Sequence, residues 1–148
     1  MTRFISLLIA SLFLLPAATL CAQRGDNLYN QVRQAAVEIL VDRHLAGSGC
    51  IVHADGMVLT AAHVAGRPGQ RAAVLMPDGT RYSATTLGMN RAMDSGMIQI
   101  RLPEPEEGES KIELPFAEMA EPDSVKLGHW CLALGHPGGF RVERPPVV

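Results

Sequence analysis

Short apolar runs separated by turn residues dominate the middle of this chain. Residues 50–52 and 57–59 are apolar and β-branched, and Asp55-Gly56 lies between them, where the glycine can take the positive φ of a primed two-residue turn. This pattern predicts a packed β-hairpin. The hairpin ends just before His63, so it would present that imidazole from a rigid position.

The same pattern recurs on both sides of this hairpin. Residues 71–76 and 81–87 are strand-like runs that flank the turn sequence at 77–80. Residues 36–42 and 97–102 alternate apolar and polar positions, as half-buried strands do. Together these runs make about six short strands, a spacing that favours an antiparallel sandwich or barrel.

The N-terminal part of the chain shows a helical pattern and an export pattern. A loose 3.6-residue apolar stripe follows Asp26 and Asn27, either of which could cap a short helix that leads into the first strand. Residues 1–22 have the layout of a secretory signal, with a basic start, an apolar run and a cleavage site before Gln23. The apolar run is too short to span a bilayer comfortably, so we expect export without stable membrane insertion.

The composition changes after the sixth strand. Residues 103–110 are acidic and contain proline, which is typical of a solvated linker or an exposed loop. Strand-like runs resume at 125–128 and 130–134. Two strands alone are marginally stable, so this part either docks on the first set of strands or belongs to a longer protein.

Charge and cysteine content exclude several functions. The net charge of −2 provides no basic field, so nucleic acid is not expected as a partner. Of the three cysteines, Cys21 lies in the signal region, which leaves Cys50 and Cys131. Neither has the spacing of a metal site. Both lie in apolar runs, so we interpret them as small buried hydrophobes, although pairing in an oxidising compartment stays open.

Three blocks, in order, resemble the trypsin-like serine proteases, especially the HtrA/Deg-type branch. The run GSGCIVHADGMVLTAAHV at 47–64 is similar to the region that carries the histidine of that family. The run at 78–100 resembles the stretch with its aspartate, which places Asp94 before the next strand. The run VKLGHWCLALGHPGG at 125–139 resembles the Leu-x-Leu-Gly-Asn-Pro-x-Gly signature, with His136 at the position where asparagine is common.

This resemblance implies an all-β fold, with a trypsin-like antiparallel β-barrel and the first strands of an incomplete second barrel. Residues 23–102 would form the first barrel, 103–111 an acidic linker and 112–148 the start of the second barrel. His63 would act as the general base and Asp94 would orient it, while a serine takes part in acyl transfer. The substrates would be polypeptides, and neither a metal nor an organic cofactor would be needed.

The nucleophile of the family is missing from this pattern. It lies in a Gly-x-Ser-Gly-Gly motif, and Ser95, Ser110 and Ser124 all lack that context. We therefore expect this chain to be inactive by itself. The remaining histidines have no partner at a diagnostic spacing and are interpreted as surface or loop residues: His44, His53, His129 and His136.

Two other classes of function compete with a protease. The chain could be a degenerate, non-catalytic protease domain that acts as a peptide-binding or scaffold module. It could also be a small secreted adhesin-like β-domain. The adhesin-like class would be favoured if the His63 ring and the Asp94 carboxylate lay beyond hydrogen-bond reach, about 3 Å.

Overall fold

The structure is a computed structural model that describes residues 28–30, 32–42, 44–108, 110–129 and 131–137. The chain divides into two units, Met1–Gln31 and Val32–Val148. Residues 28–30 of the first unit and residues 32–35 of the second are helical, which confirms the helical prediction where it can be seen. The predicted capping residues and the predicted signal sequence lie outside the described residues.

Six antiparallel strands form the core of the second unit. They are β1 (Ala36–Val41), β2 (His44–His53), β3 (Met57–Thr60), β4 (Arg71–Leu75), β5 (Arg81–Asn90) and β6 (Ser95–Ile100). Their spatial order is β1-β2-β3-β6-β5-β4, and pairing of β1 with β4 closes the barrel. Of the two architectures that the strand pattern allowed, the chain therefore adopts the barrel.

The barrel interior is filled by side chains that recur at every second position. In β6, Gly96, Ile98 and Ile100 are buried while the residues between them are partly exposed. The largest fully buried side chains come from all six strands: Ile39, Ile51, Ile98, Val37, Val58, Val74 and Thr86. Burying each aliphatic side chain of this size contributes about 1.5–3 kcal/mol, so the interior is the main source of stability.

Both Asp-Gly turns differ from the predicted two-residue turn. His53 still pairs with Met57, so residues 54–56 form a three-residue loop, and the Gly56 N–H donates to the His53 carbonyl at 3.0 Å. Gly56 has φ of 90°, as predicted, and residues 77–79 form the same kind of loop with their glycine at 87°. A type I turn followed by a left-handed residue suits this loop length because it matches the twist of the strands.

The described residues after β6 form no strand, and part of them packs on the barrel surface. Residues 103–108 are exposed and belong to neither helix nor strand. The Leu114 N–H donates to the Ala54 carbonyl at 3.2 Å and the Ala117 N–H to the Ile51 carbonyl at 2.9 Å, so this part lies along the hairpin of β2 and β3.

The predicted strands at 125–128 and 130–134 are wrong for the described residues. A 3₁₀ turn, Pro122–Ser124, precedes them, and only an isolated bridge at Gly135 follows. The physical reason is the closed barrel, in which each of the six strands already has two strand neighbours. The domain boundaries at 103–111 and 112–148 stay predictions.

Both cysteines outside the predicted signal are free thiols. Cys50 is half-buried in β2, which is close to its predicted environment, and burial raises the pKa of its thiol. Cys131 is exposed, so its predicted burial is wrong, because the strand that would have packed its apolar run does not form. Within the described part of the chain, no helix has the length and apolar character needed to cross a bilayer.

We predict that Ile98→Ala lowers the free energy of unfolding by about 3 kcal/mol, because it removes buried methyl groups and leaves a cavity. Ile98 is fully buried and sits between Val58 and Thr86 on the neighbouring strands. Urea unfolding followed by circular dichroism would measure the loss. The matched control is Leu127→Ala at a fully exposed position, with an expected change within about 0.5 kcal/mol. Equal losses for the two variants would contradict this assignment of the core.

Candidate active site

His63 lies on a single helical turn that directly follows the central hairpin. This turn, α1 (Ala62–Ala65), begins two residues after β3 ends. Ala62, Val64 and Ala65 are buried against the barrel, so His63 is the one residue of the turn that faces outward. The hairpin therefore delivers the imidazole from a short, well-anchored element.

Asp94 lies at the end of the tight turn that joins β5 to β6. The Asn90 Oδ1 atom accepts hydrogen bonds from the backbone N–H groups of Ala92 at 3.0 Å and Met93 at 3.4 Å, which stabilises the turn. Asp94 itself has φ of 48°, a left-handed conformation that is uncommon outside glycine. This conformation ends the turn, and β6 starts at the next residue.

The Asp94 carboxylate contacts α1 through both the ring and the backbone. The His63 Nδ1 atom lies 3.1 Å from Oδ2 and 3.2 Å from Oδ1. The backbone N–H groups of Ala62 and His63 donate to Oδ1 at 3.0 and 3.4 Å. In a neutral ring, the tautomer that donates from Nδ1 to the carboxylate leaves Nε2 unprotonated, so Nε2 is the atom that could accept a proton.

Close packing of α1 against β6 sets the distance between the two residues. A Cβ atom at Gly96 would lie 2.5 Å from the Ala65 Cβ atom and 3.0 Å from the Ala61 carbonyl oxygen, closer than side chains tolerate. On the other side of α1, a Cβ atom at Gly47 would lie 2.7 Å from the Val64 side chain. Sequence reasoning missed the role of Gly96, because the predicted strand began at residue 97, whereas β6 begins at Ser95 and includes this glycine.

The histidine interaction changes the acidity of the carboxylate. The hydrogen bond from the His63 ring is the largest effect, and it lowers the pKa of Asp94 from its ordinary value. Desolvation opposes this effect, whereas the backbone N–H groups of His63 and Ala62 reinforce it. The carboxylate is therefore ionised at neutral pH, the state that can stabilise a positively charged imidazole.

The pair is open to solvent on one side. The side chains of His63 and Asp94 are 72% and 60% exposed. They line a shallow cavity of about 310 Å³ together with Met89 and Arg91. Substrate-sized groups could therefore approach the ring without any rearrangement of the barrel.

The other histidines lie away from this pair. His44 and His53 are exposed in β2, and His129 is exposed in a loop, in agreement with the prediction of surface positions. The His53 Nδ1 atom contacts Asp55 Oδ1 at 2.8 Å, but that pair belongs to one hairpin turn. His136 lies in a loop and is half-buried, and its backbone N–H donates to the Ser48 hydroxyl at 2.8 Å. In the described ranges, no three side chains are grouped as a metal site requires.

Residues 47–144 match the trypsin-like peptidase domain. The chain belongs to this family. It is also 30% identical over 95 residues to a probable periplasmic serine endoprotease DegP-like protein of Chlamydia pneumoniae, an alignment that covers 64% of this chain and 17% of the relative. It is 34% identical over 92 residues to human serine protease HTRA4, with 62% of this chain and 17% of that protein covered.

These relatives confirm the HtrA-type resemblance and the trypsin-like fold. A DegP-like protein of Ectopseudomonas mendocina is 33% identical over 94 residues, which cover 64% of this chain and 18% of that protein. The chain thus spans about a sixth of the length of these relatives, as the shares of 17% and 18% show. The family match at 47–144 contains strands β3 to β6 and both members of the histidine–aspartate pair.

We predict that Gly96→Ala lowers the free energy of unfolding by about 2 kcal/mol, because the added methyl group forces α1 away from β6. The second substitution Ala65→Gly removes the nearer clash and should restore part of that loss. Urea unfolding would give the three stabilities. The control is Gly135→Ala, where the nearest atom would lie at an ordinary 3.5 Å, and a similar loss there would contradict the packing argument.

We further predict that the Asp94 carboxyl titrates below an ordinary aspartate and that His63→Ala moves its pKa upward. Because the folded-state pKa is lowered, the pair stabilises the fold above the ordinary aspartate pKa and loses this effect as the pH falls through the lowered value. Carbon-detected NMR of the carboxyl group would measure the titration. His53→Ala is the matched control, and an equal shift in both variants would contradict the assigned cause.

Proposed function

We propose that this chain is part of an exported serine endopeptidase in which His63 is the general base and Asp94 orients it. The observation that carries this proposal is the contact of one carboxylate with the His63 Nδ1 atom at 3.1 Å and with two N–H groups of α1. This arrangement positions the ring and selects its tautomer, which is what a base acting on a hydroxyl requires.

The proposed reaction is acyl transfer to a serine. The Nε2 atom of His63 takes the proton of a serine hydroxyl as the oxygen attacks the peptide carbonyl, and it then gives this proton to the leaving amine. Asp94 stabilises the imidazolium between these steps, and its lowered pKa keeps it ionised. Water then attacks the acyl carbonyl while Nε2 takes a proton from the water, and the ring returns this proton to the serine oxygen as the ester bond breaks. The substrates are polypeptides, and no metal or organic cofactor takes part.

We propose that the nucleophilic serine is not among residues 1–148. Among the described residues, no serine hydroxyl is hydrogen-bonded to the His63 ring. Ser48 accepts from the His136 N–H, and Ser124 donates to the Glu121 carbonyl. These contacts support the proposal that the chain is inactive by itself, because loss of the nucleophile removes nearly all catalysis in such a triad.

Export is part of the same proposal. Several DegP-like relatives are described as periplasmic. The signal-like layout of residues 1–22 supports the same location for this chain, with cleavage before Gln23. We propose that the mature protein is extracytoplasmic, that it is not inserted stably in a membrane and that nucleic acid is not a partner.

A non-catalytic peptide-binding or scaffold module is the second candidate. The observation that favours it is the large exposed apolar side chains in the surface segment after the barrel, among them Met119, Val125 and Leu127. Such residues favour contact with another polypeptide. The adhesin-like β-domain loses its support, because the His63 ring and the Asp94 carboxylate lie within hydrogen-bond reach.

We predict that the chain by itself is not labelled by a fluorophosphonate, the reagent that modifies activated serines. Gel fluorescence after incubation with the labelled reagent is the measurement, and a trypsin-like protease serves as the positive control. Labelling of this chain would mean that it contains an activated serine, and the proposed absence of the nucleophile would then be wrong.

The genomic reading frame beyond codon 148 tests the catalytic proposal itself. We expect an in-frame Gly-x-Ser-Gly-Gly segment, and in that longer protein His63→Ala should lower kcat on the order of 10⁶-fold. His53→Ala is the control, with kcat within about twofold of the parent because surface substitutions away from the site have small effects. A stop codon at this position with a stably folded, exported product would defeat the endopeptidase proposal in favour of the scaffold module.

A further inference from the structure

The outer surface of the barrel contains a second and larger cavity, of about 690 Å³. Its floor is one row of side chains across three strands, because Leu40 of β1 pairs with Ala73 of β4, and Ala73 pairs with Ser83 of β5. The neighbouring Ile39 and Val74 fill the barrel interior, so this row faces outward. Small residues at two of the three positions leave the space.

Three arginines and a single carboxylate line this cavity. Arg71, Arg81 and Arg101 are all exposed, and the carboxylate is that of Asp42. Within the described ranges, both ion pairs are histidine–aspartate pairs, so none of these guanidinium groups has a carboxylate partner. The surface therefore has an excess of positive charge around an apolar floor, in a chain whose net charge is negative.

The arginines lie at two ends of the cavity. Arg71 pairs with Thr85, whose hydroxyl accepts from the Arg101 Nε atom at 2.9 Å, so these two guanidinium groups share one end. Arg81 pairs with Leu75, four residues further along β4, which places it at the other end. At about 3.3 Å per residue, the backbones of the two ends are separated by about 13 Å.

This spacing discriminates between classes of anion. A lone phosphate group is a few ångströms wide and would engage the arginines of one end only. An extended peptide with acidic residues several positions apart has carboxylates at a similar separation, because it rises by the same 3.3 Å per residue. Its backbone would lie over the apolar row of Leu40 and Ala73, and guanidinium groups bind carboxylates with paired hydrogen bonds.

We propose that this arginine cavity binds an extended acidic segment of a polypeptide. The site goes beyond the proposed hydrolysis, and it shares no residue with the cavity around His63. The chain itself contains a segment of this chemistry, residues 103–110 with the sequence Pro-Glu-Pro-Glu-Glu-Gly-Glu-Ser. Its described glutamates are exposed and form no ion pair, so the arginines stay available to a separate polypeptide.

The test is fluorescence anisotropy with a labelled synthetic peptide of the sequence at 103–110. We expect saturable binding by the chain that weakens as salt is added, and much weaker binding of a peptide in which each glutamate is replaced by glutamine. Arg71→Gln and Arg81→Gln should each weaken binding about threefold, and the double variant about tenfold, as for exposed charge pairs. Equal affinity for the two peptides would overturn the proposal.

The matched control is Arg67→Gln. Arg67 is exposed and lies outside the cavity, and it forms hydrogen bonds through its backbone N–H and carbonyl groups. This variant should bind the peptide as the parent does, and thermal melting should confirm that all variants fold. A double variant that binds as tightly as Arg67→Gln would overturn the proposal. Inorganic phosphate should displace the peptide no better than chloride at equal ionic strength, and selective displacement by phosphate would instead assign the cavity to phosphate.

Discussion

The contact between α1 and β6 is the constraint on which the candidate site depends. Gly96 lets the two elements approach until a methyl group would no longer fit between them. At that separation one carboxylate reaches the His63 ring and two backbone N–H groups of the helical turn. Because β6 belongs to a closed barrel, the Asp94 side of the contact is carried by a rigid element, which holds a catalytic geometry better than a free loop would.

Small residues serve two different purposes on this barrel. At Gly96 the missing side chain allows α1 and β6 to pack closely, with the His63 ring beside the Asp94 carboxylate. At Ala73 and Ser83 the small side chains leave space for a surface cavity, which is also lined by three arginines. The barrel interior is filled by buried aliphatic side chains such as Ile39, Val74 and Ile98, so both features are compatible with a well-packed core. This barrel therefore carries a histidine–aspartate pair and an arginine-lined cavity that share no residue.

Local sequence patterns predicted the barrel strands well, but they predicted the secondary structure of the residues after β6 poorly. Alternation and turn residues placed all six barrel strands, because a half-buried strand repeats every second residue whatever its partner is. The apolar runs at 125–128 and 130–134 carried the same kind of signal, yet the described residues there form no strand. A strand also needs a free edge to pair with, and Cys131 is exposed for the same reason. Each Asp-Gly loop has three residues instead of the predicted two, because the pairing register of the flanking strands sets the loop length.

The sequence by itself determined the all-β class, the approximate positions of the barrel strands along the chain and the position of His63 just after the central hairpin. Its resemblance to trypsin-like proteases also singled out Asp94. Only the tertiary structure decided that these two side chains meet at 3.1 Å, that Gly96 permits it and that three arginines share one cavity. The physical reason is that periodicity is a property of neighbouring residues, whereas contacts between distant residues depend on strand register and on closure of the barrel.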